Sequence, residues 1–158
     1  MPISKQKPTS EPLWKTWDLL SQKEGIRHSV YDINGDKYVG EWKDNQKDGK
    51  GSSYSRNGRI IYNGDWKNNL RHGFGTLSIR NENMQLVKEY VGGWKYDKRH
   101  GYGTRYYGKN DYYEGEWYAD MRSGWGRKFY VDGSVYEGEW LDDKRSGDGI
   151  LRLANQDR

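Results

Sequence analysis

Five times along this 158-residue chain the pattern Tyr-x-Gly-x-Trp is followed, seven residues after the tryptophan, by Gly-x-Gly. The copies are Tyr38, Gly40, Trp42, Gly49 and Gly51; Tyr62, Gly64, Trp66, Gly73 and Gly75; Tyr90, Gly92, Trp94, Gly101 and Gly103; Tyr113, Gly115, Trp117, Gly124 and Gly126; and Tyr136, Gly138, Trp140, Gly147 and Gly149. Spacing inside a copy never varies, whereas successive tyrosines lie 24, 28, 23 and 23 residues apart. A period on that scale means small units that cannot bury their own apolar faces and are stacked so that each covers its neighbour. Function is then expected on a repeated surface rather than in one pocket.

Residues two apart in a strand share a face, so the Tyr, Gly and Trp of each copy point to one side and Glu41, Asp65, Glu116 and Glu139 to the other. The glycine between the two rings leaves bare backbone for an aromatic ring of the adjacent strand. A second strand begins at each Gly-x-Gly, and Asn34-Gly35, Asn57-Gly58 and Asp132-Gly133 between copies are signals for type I′ hairpins. The sequence thus predicts an all-β chain, an elongated single-layer twisted antiparallel meander of hairpins. About five extra residues near Asn81 to Gln85 produce the 28-residue period and predict a projecting loop.

Leu, Ile, Val and Phe make up only 24 of the 158 residues, which by itself raises the question of disorder. The 14 Tyr and 8 Trp answer it, because they supply large apolar area while the net charge is only +4. A thick two-layer interior is not expected from so few aliphatic residues. There is no cysteine, so no disulfide or thiolate metal site can hold the fold, and a cytoplasmic setting is the default expectation. No apolar run approaches the roughly 20 residues that span a bilayer.

Residues 1–11 read as a disordered polar tail. Residues 12–30 read as an N-terminal cap segment with an apolar cluster of Leu13, Trp14, Trp17, Leu19 and Leu20. A short helix is expected there from about Thr16 to Glu24, ended by Gly25. Residues 31–158 form the repeat array, which stops after Leu151 and Leu153 in the second strand of the fifth unit, as a C-terminally truncated array would. An uncovered terminal strand invites edge pairing, so a homodimer is a further expectation.

Tyr-Glu-Gly-Glu-Trp with a following basic turn and Gly-x-Gly resembles the MORN repeat (membrane occupation and recognition nexus), and the likeness covers about residues 34 to 153. The stretch from Pro12 to Asp44 is similar to the amino-terminal region of one branch of that family. The resemblance implies grooves that bind partner segments. For that branch it implies work in spermatogenesis or cilium and flagellum assembly, in germ-cell or ciliary structures including the acrosomal region.

Three sets of residues are candidates for binding. The first is an aromatic partner-binding groove made by Tyr38, Trp42, Tyr62, Trp66, Tyr90, Trp94, Tyr113, Trp117, Tyr136 and Trp140, in which the tryptophans are read first as plain apolar interior and the tyrosines as the residues able to grip a partner. If the tyrosines grip a partner, replacing Tyr62, Tyr90 and Tyr113 with Ser is expected to abolish capture and leave folding intact. The second is the basic residue five after each repeat Trp, Lys47, Arg71, Arg99, Arg122 and Arg145, a stripe able to meet anionic phospholipids weakly. Asp44, Asp97, Asp120, Asp142 and Asp143 in the same loops offset much of its charge. The third is an apolar patch on the opposite face, Phe74, Tyr102 and Trp125 with Phe129 nearby.

His72 and His100 precede Gly-x-Gly in their units, too few ligands for a zinc site, so no metal and no cofactor is expected. No Gly-x-Gly continues to a phosphate-binding fingerprint, and no nucleophile elbow or His-Glu-x-x-His is present, so no catalytic residues are assigned. Positive charge interleaved with carboxylates gives no nucleic-acid footprint. The reading is a non-catalytic protein-binding scaffold, with a peripheral tether to anionic phospholipids as the alternative.

Overall fold

The computed structural model describes residues 12–16 and 22–155. Among them, eleven strands form one antiparallel sheet in strict sequence order: β1 (Gly25–Tyr31), β2 (Lys37–Lys43), β3 (Gln46–Tyr54), β4 (Ile60–Lys67), β5 (Leu70–Arg80), β6 (Leu86–Lys95), β7 (Lys98–Gly108), β8 (Asp111–Tyr118), β9 (Met121–Phe129), β10 (Val135–Leu141) and β11 (Lys144–Arg152). Ten intervals between neighbouring strands give the sheet a breadth of roughly 48 Å. The expected single-layer meander is what the chain adopts.

Register puts Tyr, Gly and Trp of every unit on one face. Gly64 lies opposite Gly75 and Gly115 opposite Gly126, and between that pair and the Trp each unit carries a bulge. Tyr62 then lies over the bared backbone: a Cβ added at Gly75 would stand 2.2 Å from its hydroxyl oxygen, and one added at Gly64 would stand 2.5 Å from the Cα of Gly75. The glycine pair is therefore a seat for the tyrosine ring.

Rings close the core as a zigzag. Tyr38 meets Trp42 edge-on at 5.1 Å and Trp66 at 5.4 Å, Tyr62 meets Trp66 and Trp94 at 5.1 and 5.4 Å, and the same alternation continues to Tyr136 and Trp140. Each such edge-to-face pair contributes about 0.5 to 1.5 kcal/mol beyond area burial. The polar tips are spent inside the fold. Tyr62 Oη donates to the Asp65 carbonyl at 3.0 Å and Tyr90 Oη to that of Gly93 at 2.9 Å, while Trp94 Nε1 donates to the Gly75 carbonyl at 3.2 Å and Trp117 Nε1 to that of Gly103 at 3.1 Å. Trp42 Nε1 finds no partner among the described residues.

Turn chemistry differs from the expectation. At Asn34-Gly35, Asn57-Gly58 and Asp132-Gly133 only the glycine has positive φ, and Gly35, Gly58 and Gly133 donate to the carbonyls of Asp32, Ser55 and Tyr130. These are type I turns followed by a left-handed glycine. The two-residue type I′ turns lie inside each unit instead, at Asp44-Asn45, Asn68-Asn69, Tyr96-Asp97, Ala119-Asp120 and Asp142-Asp143, where both φ values are positive. Apart from the Asn pair, these dipeptides carry weak turn signals. The extra residues Asn81–Gln85 do form the hairpin loop between β5 and β6.

At the N-terminus, one helical turn covers residues 13–16, with Leu13 and Trp14 exposed. The helix expected to run to Glu24 does not reach it, since residues 22–24 are non-helical and Gly25 opens β1 rather than closing a helix. Trp17, Leu19 and Leu20, the tail 1–11 and the last three residues lie outside the described set.

Candidate functional site

The ten residues assigned to an aromatic groove are all core. Tyr90 and Tyr113 are 0% exposed, Tyr62 is 2% exposed, and the repeat tryptophans range from 3% to 8%. The tyrosines, expected to be the accessible partners, are as buried as the tryptophans, because each is the hinge of the ring zigzag and sits against a glycine pair. Ser at Tyr62, Tyr90 and Tyr113 would therefore damage the fold itself.

Basic side chains roof those rings. The guanidinium of Arg71 lies 4.2 Å from the Trp94 centroid, that of Arg99 4.6 Å from Trp117, and that of Arg122 4.4 Å from Trp140. Each also spans to the turn of the next unit, where Arg71 Nε donates to Asp97 at 2.6 Å, Arg99 Nε to Asp120 at 3.0 Å and Arg122 Nε to Asp143 at 3.1 Å. The turn answers in kind: the backbone N–H groups of Asp97, Asp120 and Asp143 donate to the carbonyls of Arg71, Arg99 and Arg122. Three of the five stripe residues are thus not a free cationic rail but clasps that lock one unit to the next.

Electrostatics follow from this placement. Burial works against ionisation of Asp143, yet the N–H and guanidinium of Arg122 outweigh it and hold the carboxyl below its ordinary value. Burial pushes the Lys47 ammonium down, although Asp32, Asp36 and Asp97 oppose the shift. Lys47 lies 5.0 Å from the Trp66 centroid, and Asn69 Oδ1 takes the role of the turn aspartate by accepting the Lys47 N–H at 2.8 Å. Arg145 instead turns its guanidinium to the Tyr130 hydroxyl and lies 4.5 Å from the Tyr136 centroid. His72 and His100 pack on Tyr96 and Tyr118.

One member of this series has no counterpart in the sequence reading. Lys23 lies 24 residues before Lys47, places its ammonium 5.0 Å from the Trp42 centroid and donates to Asn45 Oδ1 at 2.9 Å. Asn45 N–H donates back to the Lys23 carbonyl at 3.1 Å. Lys23-Glu24-Gly25 with β1 is therefore the second-strand half of a preceding unit. The signal was its spacing: Lys23 stands two residues before Gly25 as Arg71 stands two before Gly73.

The opposite face offers a different surface. Phe74, Tyr102 and Trp125 are 60%, 66% and 49% exposed and occupy the same row on β5, β7 and β9, roughly 10 Å apart. Phe74 faces Gly93 on β6, whereas Tyr102 and Trp125 have Glu116 between them on β8. Asp65 and Glu116 fold their carboxylates back onto the N–H groups of Phe74 and Trp125, at 2.9 and 3.2 Å, which pins the backbone beneath the rings. Phe129 does not join this row. It stacks on Tyr112 at 4.3 Å in a second row toward the hairpin ends. Among the described residues, no group of three or more His, Asp or Glu side chains is placed to hold a metal ion.

Comparison with known proteins converges on the same units. The model of the MORN repeat matches residues 38–58, 62–84, 90–112, 113–135 and 136–158, more than half of the chain. The chain is similar to MORN repeat-containing protein 3 of Xenopus laevis, 51% identical over 113 residues, which is 71% of this chain and 48% of the relative. Similar proteins of the same name from Bos taurus and Homo sapiens are 65% and 61% identical over 51 residues, 32% of this chain and 21% of each relative. The chain matches about half or less of the length of these relatives. With five matched repeats whose motif residues build one continuous ring ladder, the chain belongs to the MORN repeat family.

Proposed function

We propose that this chain is a non-catalytic scaffold that holds segments of protein partners on its open sheet. The observation that carries the reading is the exposed aromatic row Phe74, Tyr102 and Trp125 on a face that no second layer of described residues covers. Aromatic rings aligned on a rigid sheet present large contact area at little conformational cost, which is what partner anchors require. The ring side contributes rigidity, since its tyrosines and tryptophans are consumed in the core and Arg71, Arg99 and Arg122 in clasps. That consumption also leaves the anionic-phospholipid alternative with little free charge, because Arg71, Arg99 and Arg122 are paired to Asp97, Asp120 and Asp143.

The proposed setting follows the family likeness: spermatogenesis or cilium and flagellum assembly, in the cytoplasm of such cells. Self-association through the outer edge of β11 is part of the same proposal, and light scattering across a concentration series tests it. The partner reading is tested by capture from ciliated or testicular extract with wild type and with a variant carrying Phe74→Ser, Tyr102→Ser and Trp125→Ser. These side chains are exposed, so the circular dichroism melt should be preserved while capture is lost. Capture that survives the triple change removes this face from the proposal.

A further inference from the structure

The third unit is split. In the other four units the two strands stay paired past the repeat tyrosine, as in Ile61↔Ser78 and Ile60↔Ile79 or Tyr112↔Phe129. Between β6 and β7 the ladder ends at Tyr90↔Arg105. The cause is a bulge at Glu89: Leu77 pairs with Tyr90 but Ser78 pairs with Lys88, so one residue of β6 is left over and the arm Leu86–Lys88 follows β5 away from β7. Tyr106 and Gly108 of β7 meanwhile remain paired with Tyr112 and Asp111 of β8. Two backbone edges therefore face each other inside the sheet, each with a ladder partner on its far side only.

A cavity of about 560 Å³ opens between them, lined mainly by apolar groups of Ile79, Val87, Tyr106 and Tyr107. That volume matches pockets that take one bulky ligand group. Lys88 and Lys109 also line it, and neither is ion-paired among the described residues, whereas the one lining carboxylate, Glu89, stands 3.7 Å from Arg105. The cleft is thus mainly apolar in its lining and carries positive charge from two lysines that no described carboxylate answers.

The geometry points to this cleft as a docking site for an extended acidic peptide, one with a bulky apolar side chain entering between β6 and β7 and Asp or Glu neighbours meeting Lys88 and Lys109. Charge complementarity selects acidic flanks, and the unladdered edges of β6 and β7 supply N–H and C=O groups to the peptide backbone. The site is distinct from the row of Phe74, Tyr102 and Trp125.

A displayed library of random peptides selected against the full chain tests it, with the enriched sequences resynthesised as fluorescent peptides and measured by anisotropy. Enriched peptides should carry an aromatic or large aliphatic centre with acidic flanks. A Lys88→Glu, Lys109→Glu variant should bind them about tenfold more weakly or worse, and Val87→Trp, which fills the cleft from an exposed position, should do the same. The triple variant at Phe74, Tyr102 and Trp125 should bind them as wild type does, so failure here and failure of the scaffold reading are separable. No enrichment, enrichment of basic or uncharged peptides, or undiminished binding by either cleft variant overturns the inference.

Discussion

The Arg99 guanidinium stands 4.6 Å from the ring centroid of Trp117, in the next repeat along the chain. The same group donates through Nε to Asp120 at 3.0 Å and through a terminal nitrogen to the Asp120 carbonyl at 3.2 Å. One side chain thus joins two units by a cation–π contact and hydrogen bonding together, and the arrangement recurs at Arg71 and Arg122.

Removing that clasp should loosen the contact between the third and fourth units. Arg99→Ala is expected to lower stability by about 1 to 2 kcal/mol, combining a partly buried cation–π contact with hydrogen bonds that stay half screened by solvent. Asp120→Asn should cost less than Asp120→Ala, because Asn69 already fills this role for Lys47. Urea midpoints of the three variants check the order.

Glycine substitutions separate close approach from simple flexibility. A Cβ on Gly103 would stand 2.2 Å from Tyr90 Oη, so Gly103→Ala should cost about 1 to 3 kcal/mol or more through displacement of the ring. No described residue lies within 4 Å of a Cβ on Gly108. Gly108→Ala should stay within about 0.5 kcal/mol of wild type. Equal effects at the two sites would contradict the seat proposed for the tyrosine.

The tyrosine hydroxyls and rings should weigh differently. Tyr90→Phe removes one donor to the Gly93 carbonyl and should cost about 1 kcal/mol. Tyr90→Ser empties a fully buried ring position and should cost about 3 to 5 kcal/mol, enough to melt the middle of the array. Thermal melts by circular dichroism distinguish these cases.

Alkaline pH should unfold the sheet in a defined direction. Burial is the main cause that pushes the hydroxyls of Tyr38, Tyr62, Tyr90 and Tyr113 well above the ordinary tyrosine range. Their folded pKa values exceed the unfolded value of about 10. The stability they contribute is therefore fully present below that pH and lost as pH rises toward the folded values. Phenolate absorbance followed together with the β-sheet dichroism should show a component that appears only as the sheet is lost.

Lys128 is enclosed beside Tyr107, 3.9 Å from its ring centroid, and ion-paired with Asp111. Asp111→Ala leaves that ammonium without its carboxylate and should cost about 1 to 3 kcal/mol. Lys128→Met, which removes the charge and keeps the stem, should cost less. Chemical denaturation of both variants settles the comparison.

Much of the fold was legible because its cause is local. Alternation along Tyr-x-Gly-x-Trp sets the face of each ring whatever surrounds it, and the Gly-x-Gly spacing announces the next strand. Turn types were misplaced, since Tyr96-Asp97 and Ala119-Asp120 adopt positive φ under tertiary constraint and not from intrinsic preference. Lys23 was passed over because its half-unit lacks the aromatic motif. The basic residues were visible at fixed spacing, but their partners lie 21 to 26 residues away, so a surface stripe and an internal clasp look alike in one dimension.

The sequence by itself determined the strand-after-strand meander and the side to which each ring points, because a two-residue period and steric demands of glycine act within a few residues. Only the tertiary structure decided that the rings form a sealed interior, that arginines join neighbouring repeats, and that the third unit parts between β6 and β7. Those outcomes depend on contacts between units and on a single unpaired residue, Glu89, whose effect exists only once β5 and β7 compete for the same strand.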